Sequence, residues 1–237
     1  PALPRLVGES FHGLVERHPF NDDLGAVIEL TPAGSGAFSG SLRDGKGLRP
    51  ILGAFRETAD GELQTEIPLP ARAGQPPLTL HLSFDAETDT LTGDLSAPGE
   101  ASAGLLAWRR PLDTVAAAEL AGRHAFALLQ DDPGQLQGAG LYQVSPNLSA
   151  WGAGRLADGS NFTTGTFVGP QGQLLLYQPL EANRGSLAGV LYLQVTPSEG
   201  AVITGEASWY EASTPGRGKS ADPGFGPLPL RAESPAP

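Results

Sequence analysis

Residues 77–96 read PLTLHLSFDAETDTLTGDLS, and this stretch decides the fold class. From Leu78 to Phe84 apolar and polar residues alternate strictly, which is the period of a β-strand with one buried face. The polar run Asp85–Asp89 predicts a turn, and Leu91–Leu95 predicts a returning strand. We therefore expect an antiparallel hairpin whose polar face carries an exposed His81.

The same pattern extends through the first half of the chain. Short alternating runs are separated by turn residues at intervals of roughly 10–14 residues, which is typical of all-β proteins. Asp44-Gly45 and Asp158-Gly159 predict hairpin turns, because glycine readily adopts a positive φ. The predicted strands centre on Phe11–Glu16, Ala26–Thr31, Ala37–Leu42, Ile51–Arg56, Leu63–Leu69, Leu78–Phe84, Leu91–Leu95 and Ala103–Arg109.

An internal duplication organises the whole sequence. A shift of 114 residues places Gly40–Gly45 on Gly154–Gly159, and Thr92-Gly93 falls on Thr204-Gly205 after a two-residue slip. The same slip places Gly53-Ala-Phe55 on Gly165-Thr-Phe167, and one tryptophan closes each half, Trp108 and Trp209. Ordered matches of this kind over about 100 residues indicate a tandem repeat.

The duplication predicts two tandem units. We expect residues 1–112 and 113–237 each to form an antiparallel meander of about eight strands, closed as a small β-barrel or a barrel-like sandwich. Residues 113–121 are Ala-rich and predict a short helical connector. Residues 212–223 read as a loop. Residues 224–233 alternate and contain prolines, which predicts a last edge strand.

Composition excludes several classes of protein. The 237 residues include no Cys, so disulfide frameworks, zinc–thiolate sites and thiol nucleophiles are absent. Arginine and lysine total 15 against 26 acidic residues, a net charge of −11, which disfavours nucleic acid as a partner. No apolar run is long enough for a membrane helix. The chain begins with Pro, so we expect a processed chain or a fragment.

Several segments together resemble a known module. The first half contains GLVERHPFNDDLG at 13–25, GAFSGSL at 36–42 and AWRRP at 107–111, besides the opening stretch. The second half contains GRLADG at 154–159, GSLAGVL at 185–191 and PGFGPLPL at 223–230. Across most of residues 8–231 the chain resembles the repetitive β module near the carboxyl ends of very large secreted or surface proteins of Planctomycetes and Verrucomicrobia. That family usually begins its first unit with Tyr, where this sequence has Phe11.

The resemblance implies an extracellular or cell-surface setting in an exported bacterial protein. It implies no enzymatic activity, no catalytic residue and no cofactor. The residues agree, since the nucleophile elbow Gly-X-Ser-X-Gly and the phosphate-binding loop are both missing. We therefore expect a chain that is not an enzyme.

Metal binding has weak support in the sequence. The four histidines lack the four-residue spacing of a helical zinc site. Two acidic loops, Asp22-Asp23 and Asp131-Asp132, occupy corresponding places in the two halves and are the calcium candidates. Turn formation by Asx side chains is the simpler interpretation, so we predict no metal site.

Three functions remain open. The leading prediction is a structural or interaction module for adhesion or assembly, which binds other protein modules or copies of itself through edge strands and Pro-rich termini. A carbohydrate-binding module would present Trp151, Trp209 or Tyr210 to glycans. A small apolar-ligand barrel would have a hollow interior lined by Leu78, Leu80 and Leu82.

Overall fold

The computed structural model describes residues 10–72, 75–111, 117–130, 134–180, 183–197, 200–213 and 224–235. They form two antiparallel sheets, and the chain divides into two compact units, Pro1–Leu112 and Asp113–Pro237. The expected all-β fold with two tandem barrel-like meanders is confirmed. The part of the chain that the structure describes contains no helix long and apolar enough to cross a membrane.

The first unit is a nine-stranded meander. Its strands are β1 (Phe11–Val15), β2 (Ala26–Pro32), β3 (Ala37–Asp44), β4 (Gly47–Ala54), β5 (Arg56–Glu57), β6 (Leu63–Leu69), β7 (Leu78–Asp85), β8 (Thr90–Ser96) and β9 (Ser102–Arg109). The sheet order is β4-β3-β2-β1-β9-β8-β7-β6-β5, so the first and last strands pair in the middle of the sheet. The two ends, β4 and β5–β6, meet at a seam.

The interior of the first unit is filled by alternate side chains. Leu78, Leu80 and Leu82 all lie inward with 3% exposure or less. They belong to one apolar cluster that draws on every strand except β5 and includes Phe11, Phe38 and Phe55. The expected hollow lined by these three leucines is therefore occupied by neighbouring side chains.

The second unit has eight strands. They are β10 (Gly122–Leu129), β11 (Leu136–Val144), β12 (Ser149–Leu156), β13 (Asn161–Phe167), β14 (Gln173–Leu180), β15 (Gly185–Thr196), β16 (Gly200–Glu211) and β17 (Phe225–Glu233). Their order is β13-β12-β11-β10-β17-β16-β15-β14, which repeats the pairing scheme of the first unit. A four-residue helix, α1 (Ala117–Leu120), precedes β10. Residues 113–116 of the predicted connector and 214–223 of the predicted loop lie outside the described residues.

The sequence predicted that the last strand is an edge strand, but in the structure it is an inner strand. β17 lies between β10 and β16. On the β10 side, however, only Arg231–Glu233 are paired, with Ala127–Leu129. Pro227 and Pro229 therefore lie where β17 has no ladder on that side, which explains how an inner strand tolerates two prolines.

Two matches of the duplication do not hold in space. Trp108 lies on β9, the last strand of its unit, whereas Trp209 lies on β16, the penultimate strand. A Cβ added at Gly53 would meet the core side chains Phe38 and Ile67, whereas Gly165 is exposed. Gly53 therefore faces the core and Gly165 faces outwards, so the two matched glycines are not equivalent in the two sheets.

Candidate functional site

The seam of the first unit contains a groove of about 840 Å³. No hydrogen-bonded ladder joins β4 to β6, although Cα atoms of the two strands approach within 8 Å. The groove is lined on one side by Leu52–Ala54 of β4 and on the other by Gln64–Pro68 of β6. It extends over His81 and Ser83 of β7 to Asp94 of β8. Gln64 pairs with Arg56 of β5, so the unpaired edges are Leu52–Ala54 of β4 and Thr65–Pro68 of β6.

One end of the seam is tied shut by two arginines. Arg49 is buried and donates from Nη1 to the carbonyl oxygen of Pro70 at 3.1 Å. Arg49 also donates to Gln75 Oε1, and Gln75 Nε2 donates to Asp44 Oδ2 at 3.3 Å. Arg72 donates across the seam to the carbonyl oxygen of Leu48. These bonds fix the Leu48 end, so the groove opens only further along β4.

Prolines show which backbone groups face the open edge. Pro50 in β4 and Pro68 in β6 lack an N–H, and proline is tolerated in a sheet where that N–H would point away from the paired strand. Peptide groups alternate in direction along a strand. Leu52, two residues after Pro50, and Glu66, two residues before Pro68, therefore also turn their backbone groups towards the seam.

A row of charged side chains crosses the polar wall of the groove. Glu66, His81 and Asp94 are cross-strand neighbours on β6, β7 and β8. His81 Nδ1 lies 3.2 Å from Asp94 Oδ1, and His81 Nε2 lies 3.8 Å from Glu66 Oε2. Both carboxylates remain accessible to solvent, Glu66 more than Asp94.

The opposite wall of the groove is apolar. Leu52 is 74% exposed and is the most exposed large apolar side chain among the described residues. It faces the seam from the outer surface of β4. An exposed leucine and a row of carboxylates therefore line the same groove.

Ser83, which lines the groove, is not a preformed nucleophile. Ser83 follows His81 by two residues on the same strand, but no hydrogen bond joins them in the described structure. His81 Nε2 faces Glu66 instead. A serine activated by histidine needs a direct hydrogen bond between the two side chains, so this histidine is not placed to activate Ser83.

The corresponding seam of the second unit is closed by side chains. Tyr142 donates its hydroxyl to the carbonyl oxygen of Leu175 at 2.9 Å, and Thr164 Oγ1 donates to the same oxygen at 3.1 Å. Thr163 N donates to Gln178 Oε1 at 3.2 Å. Burial raises the pKa of Tyr142, so its phenol stays protonated as a donor. The seam between β4 and β6 is therefore open in the first unit, whereas side chains bridge the seam between β13 and β14 in the second unit.

The three aromatic candidates have different surroundings. Trp151 is 53% exposed on the outer face of β12, between Gln143 of β11 and Gly165 of β13. A Cβ at Gly165 would meet no atom within 4 Å, so one side of the indole is open. Arg123 donates from Nε to Gln143 Oε1 at 3.1 Å in the same cross-strand row.

Trp209 belongs to the core rather than to a binding face. It is 5% exposed and packs edge-on against Phe225, with ring centroids 4.9 Å apart. Together with Gln137, Pro227 and Leu228 the two rings line an apolar pocket of about 540 Å³. Tyr210, the next residue, is half-buried.

The calcium candidates do not form a cation site among the described residues. Asp22 Oδ1 lies 3.0 Å from Lys46 Nζ, and Asp23 accepts a hydrogen bond from Arg17 through its backbone oxygen. Both have φ of 56°, as expected for turn residues. The described residues contain no group of three or more His, Asp or Glu placed to hold a metal ion. Asp131 and Asp132 lie outside the described residues.

Sequence reasoning missed the seam groove. The available signal was Pro68 inside one predicted strand and Pro50 directly before another, because prolines mark free edges. The short connections predicted that the strand Ile51–Arg56 pairs with the next strand, Leu63–Leu69. In the structure only Arg56 and Glu57 pair with β6, and the stretch of β4 before them does not.

Comparisons with known proteins identify no family. No family model matches the chain, and no curated protein sequence matches it. Among solved structures, it is similar to the crystal structure of a protein of unknown function from the DUF3598 family of Nostoc punctiforme PCC 73102. The identity is 11%, the similarity covers 98% of this chain and 97% of that chain, and the TM-score is 0.26.

Proposed function

We propose that the chain is a non-catalytic interaction module of an exported bacterial surface or secreted protein, which binds an extended segment of a partner at the seam of its first unit. The observation that carries the proposal is the open groove between two unpaired strand edges, β4 and β6. Exposed edges bind extended peptides through main-chain hydrogen bonds, with side-chain pockets giving selectivity. The resemblance of residues 8–231 to modules of large surface proteins supports the extracellular setting.

The second unit supports the same proposal, because its seam is closed whereas that of the first unit is open. In the second unit Tyr142, Thr163 and Thr164 close the seam with hydrogen bonds. A fold that can seal this position, but leaves it open in one copy, has an edge available for a partner. Arg49 and Arg72 confine the opening to a short stretch, which limits uncontrolled edge-to-edge aggregation.

Selection of peptides tests the proposal. A phage library of random linear heptapeptides is panned against the intact protein, and hydrogen exchange locates the bound peptides. We expect protection of the seam-facing backbone amides of Leu52, Ala54 and Glu66. Leu52→Pro removes a backbone donor that faces the seam and should abolish binding.

Leu48→Pro is the matched control, because it makes the same change on the same strand at the tied end of the seam. Both variants should keep the wild-type unfolding midpoint. Peptides that bind Leu52→Pro and wild type equally, or protection confined to other strands, would contradict the proposal.

A carbohydrate-binding role is the second candidate, and Trp151 is the observation that favours it. Its half-exposed indole, open over Gly165 and flanked by the Gln143 and Arg123 side chains, has the features of a platform for a sugar ring. A glycan array should show binding that Trp151→Ala removes. An array without hits, or hits that survive this substitution, would contradict the carbohydrate-binding role.

A further inference from the structure

We infer that the seam groove selects a short extended segment in which basic residues alternate with small ones, in the order basic–small–basic. This inference rests on the proposed function, because it names the chemistry of the segment that the groove binds. Its evidence is the length of the free edge, the charge of the walls and the space beneath the seam.

The free edge admits only a short segment. The accessible stretch of β4 is Leu52–Ala54, since Arg72 ties the seam at Leu48 and Pro50 has no N–H to donate. Three residues of a strand span about 10 Å. A bound segment therefore makes its main-chain contacts over three or four residues, and side chains must supply the selectivity.

The walls favour basic side chains on the outward positions of the segment. The groove lining contains three carboxylates, Glu57, Glu66 and Asp94, and one guanidinium, Arg56. Leu52 offers an exposed apolar surface on the β4 side of the same groove. An arginine or lysine can lay its aliphatic stem on the leucine while its charged head meets the carboxylates, because such side chains are apolar along the stem and charged at the tip.

The inward positions must be small. A Cβ added at Gly53 would lie 3.1 Å from Cδ1 of Ile67 on β6, across the seam, and 2.6 Å from Cζ of Phe38 on the β3 side. Phe38 and Ile67 belong to the filled core of the unit. Side chains larger than alanine on the inner side of a bound segment would displace this core. Since neighbouring residues of a strand face opposite sides, the outward and inward requirements must alternate.

Synthetic peptides of defined pattern test the inference on the full-length chain. The probe is acetyl-Gly-Arg-Gly-Arg-Gly-amide, and the pattern control is its isomer acetyl-Gly-Gly-Arg-Arg-Gly-amide, which would force one arginine inward. The charge control is acetyl-Gly-Gln-Gly-Gln-Gly-amide. Binding is followed by chemical-shift titration of ¹⁵N-labelled protein. We expect the alternating arginine peptide to bind at least about fivefold more tightly than either control.

Substitutions in the protein add a second test. Glu66→Gln and Asp94→Asn should each weaken binding of the alternating peptide about threefold, as expected for solvent-accessible ion pairs. Glu87→Gln is the matched control, since Glu87 is an exposed acid of the same unit outside the groove lining. It should leave the affinity unchanged.

The outcomes separate the inference from the proposed function. Equal binding of the three peptides at the seam would overturn the basic–small–basic pattern and leave strand addition in place. An affinity that Glu87→Gln reduces as much as Glu66→Gln would also overturn it, because charge would then act at long range. If no peptide shifts resonances of β4 and β6, and panning also fails, the proposed function falls with the inference.

Discussion

At the scale of single residues, His12 couples folding to pH. Its side chain is buried on β1, with Nε2 3.6 Å from Glu29 Oε1. Burial lowers the pKa of His12 below the ordinary value of about 6.5, since the imidazolium loses solvation; Glu29 opposes this effect and Arg43 adds to it. The unfolded chain then binds this proton more readily than the folded chain. Stability should therefore fall as the pH drops below about 6.5, until the lowered pKa is reached.

Urea unfolding at pH 7.5 and pH 5.5 measures this effect. We expect the unfolding midpoint of the wild type to decrease over that interval, and the decrease to be smaller in His12→Gln, which cannot gain a proton there. An equal decrease in the two proteins would show that His12 does not carry the pH dependence.

At the scale of elements, neighbouring strands leave no space for a Cβ at Gly40 but leave open space at Gly165. A Cβ added at Gly40 of β3 would lie 2.0 Å from the backbone oxygen of Glu29 on β2, so the strands must separate to admit it. Overpacking of this kind costs about 1–3 kcal/mol. Gly40→Ala should lower the free energy of unfolding by that amount, measured by urea titration.

Gly165→Ala is the matched control on β13. No atom lies within 4 Å of its added Cβ, so the free energy of unfolding should change by less than about 0.5 kcal/mol. Equal losses in the two variants would show that the close approach of Glu29 to Gly40 does not set the cost, because no atom crowds the Cβ at position 165.

Strands were predictable from the sequence because their cause is local. The alternation of Leu78–Phe84 survives as β7, with all four apolar side chains buried. Pairing at a distance was not predictable. Tyr142 donates its hydroxyl to the carbonyl oxygen of Leu175, which is 33 residues away in the sequence. β17 is an inner strand, although its prolines indicated an edge strand. The sequence does not encode such partners in any short-range pattern.

Candidate site residues follow the same division. The sequence did not show which of Trp151 and Trp209 is buried. Alternation of apolar and polar residues predicts the buried face of a strand, and this alternation is weak in Gly-rich strands. In the structure one is half-exposed and the other is core. The groove residues Leu52 and Glu66 are ordinary strand residues until β4 and β6 are placed opposite each other, so only the closed sheet reveals their joint role.

At the scale of the whole molecule, each unit has its own sheet and its own buried cluster. The cluster of the second unit runs from Phe126 to Ala232, and β10 pairs with β17 within that unit. A chain of about 125 residues with a core of this kind is large enough to fold independently. We expect residues 113–237, expressed alone, to unfold cooperatively in urea when followed by far-ultraviolet circular dichroism. In a Trp151→Phe background, which leaves Trp209 as the sole tryptophan, the emission should report a buried indole and give the same midpoint. A gradual transition, or two probes with different midpoints, would mean that the second unit depends on the first for its fold.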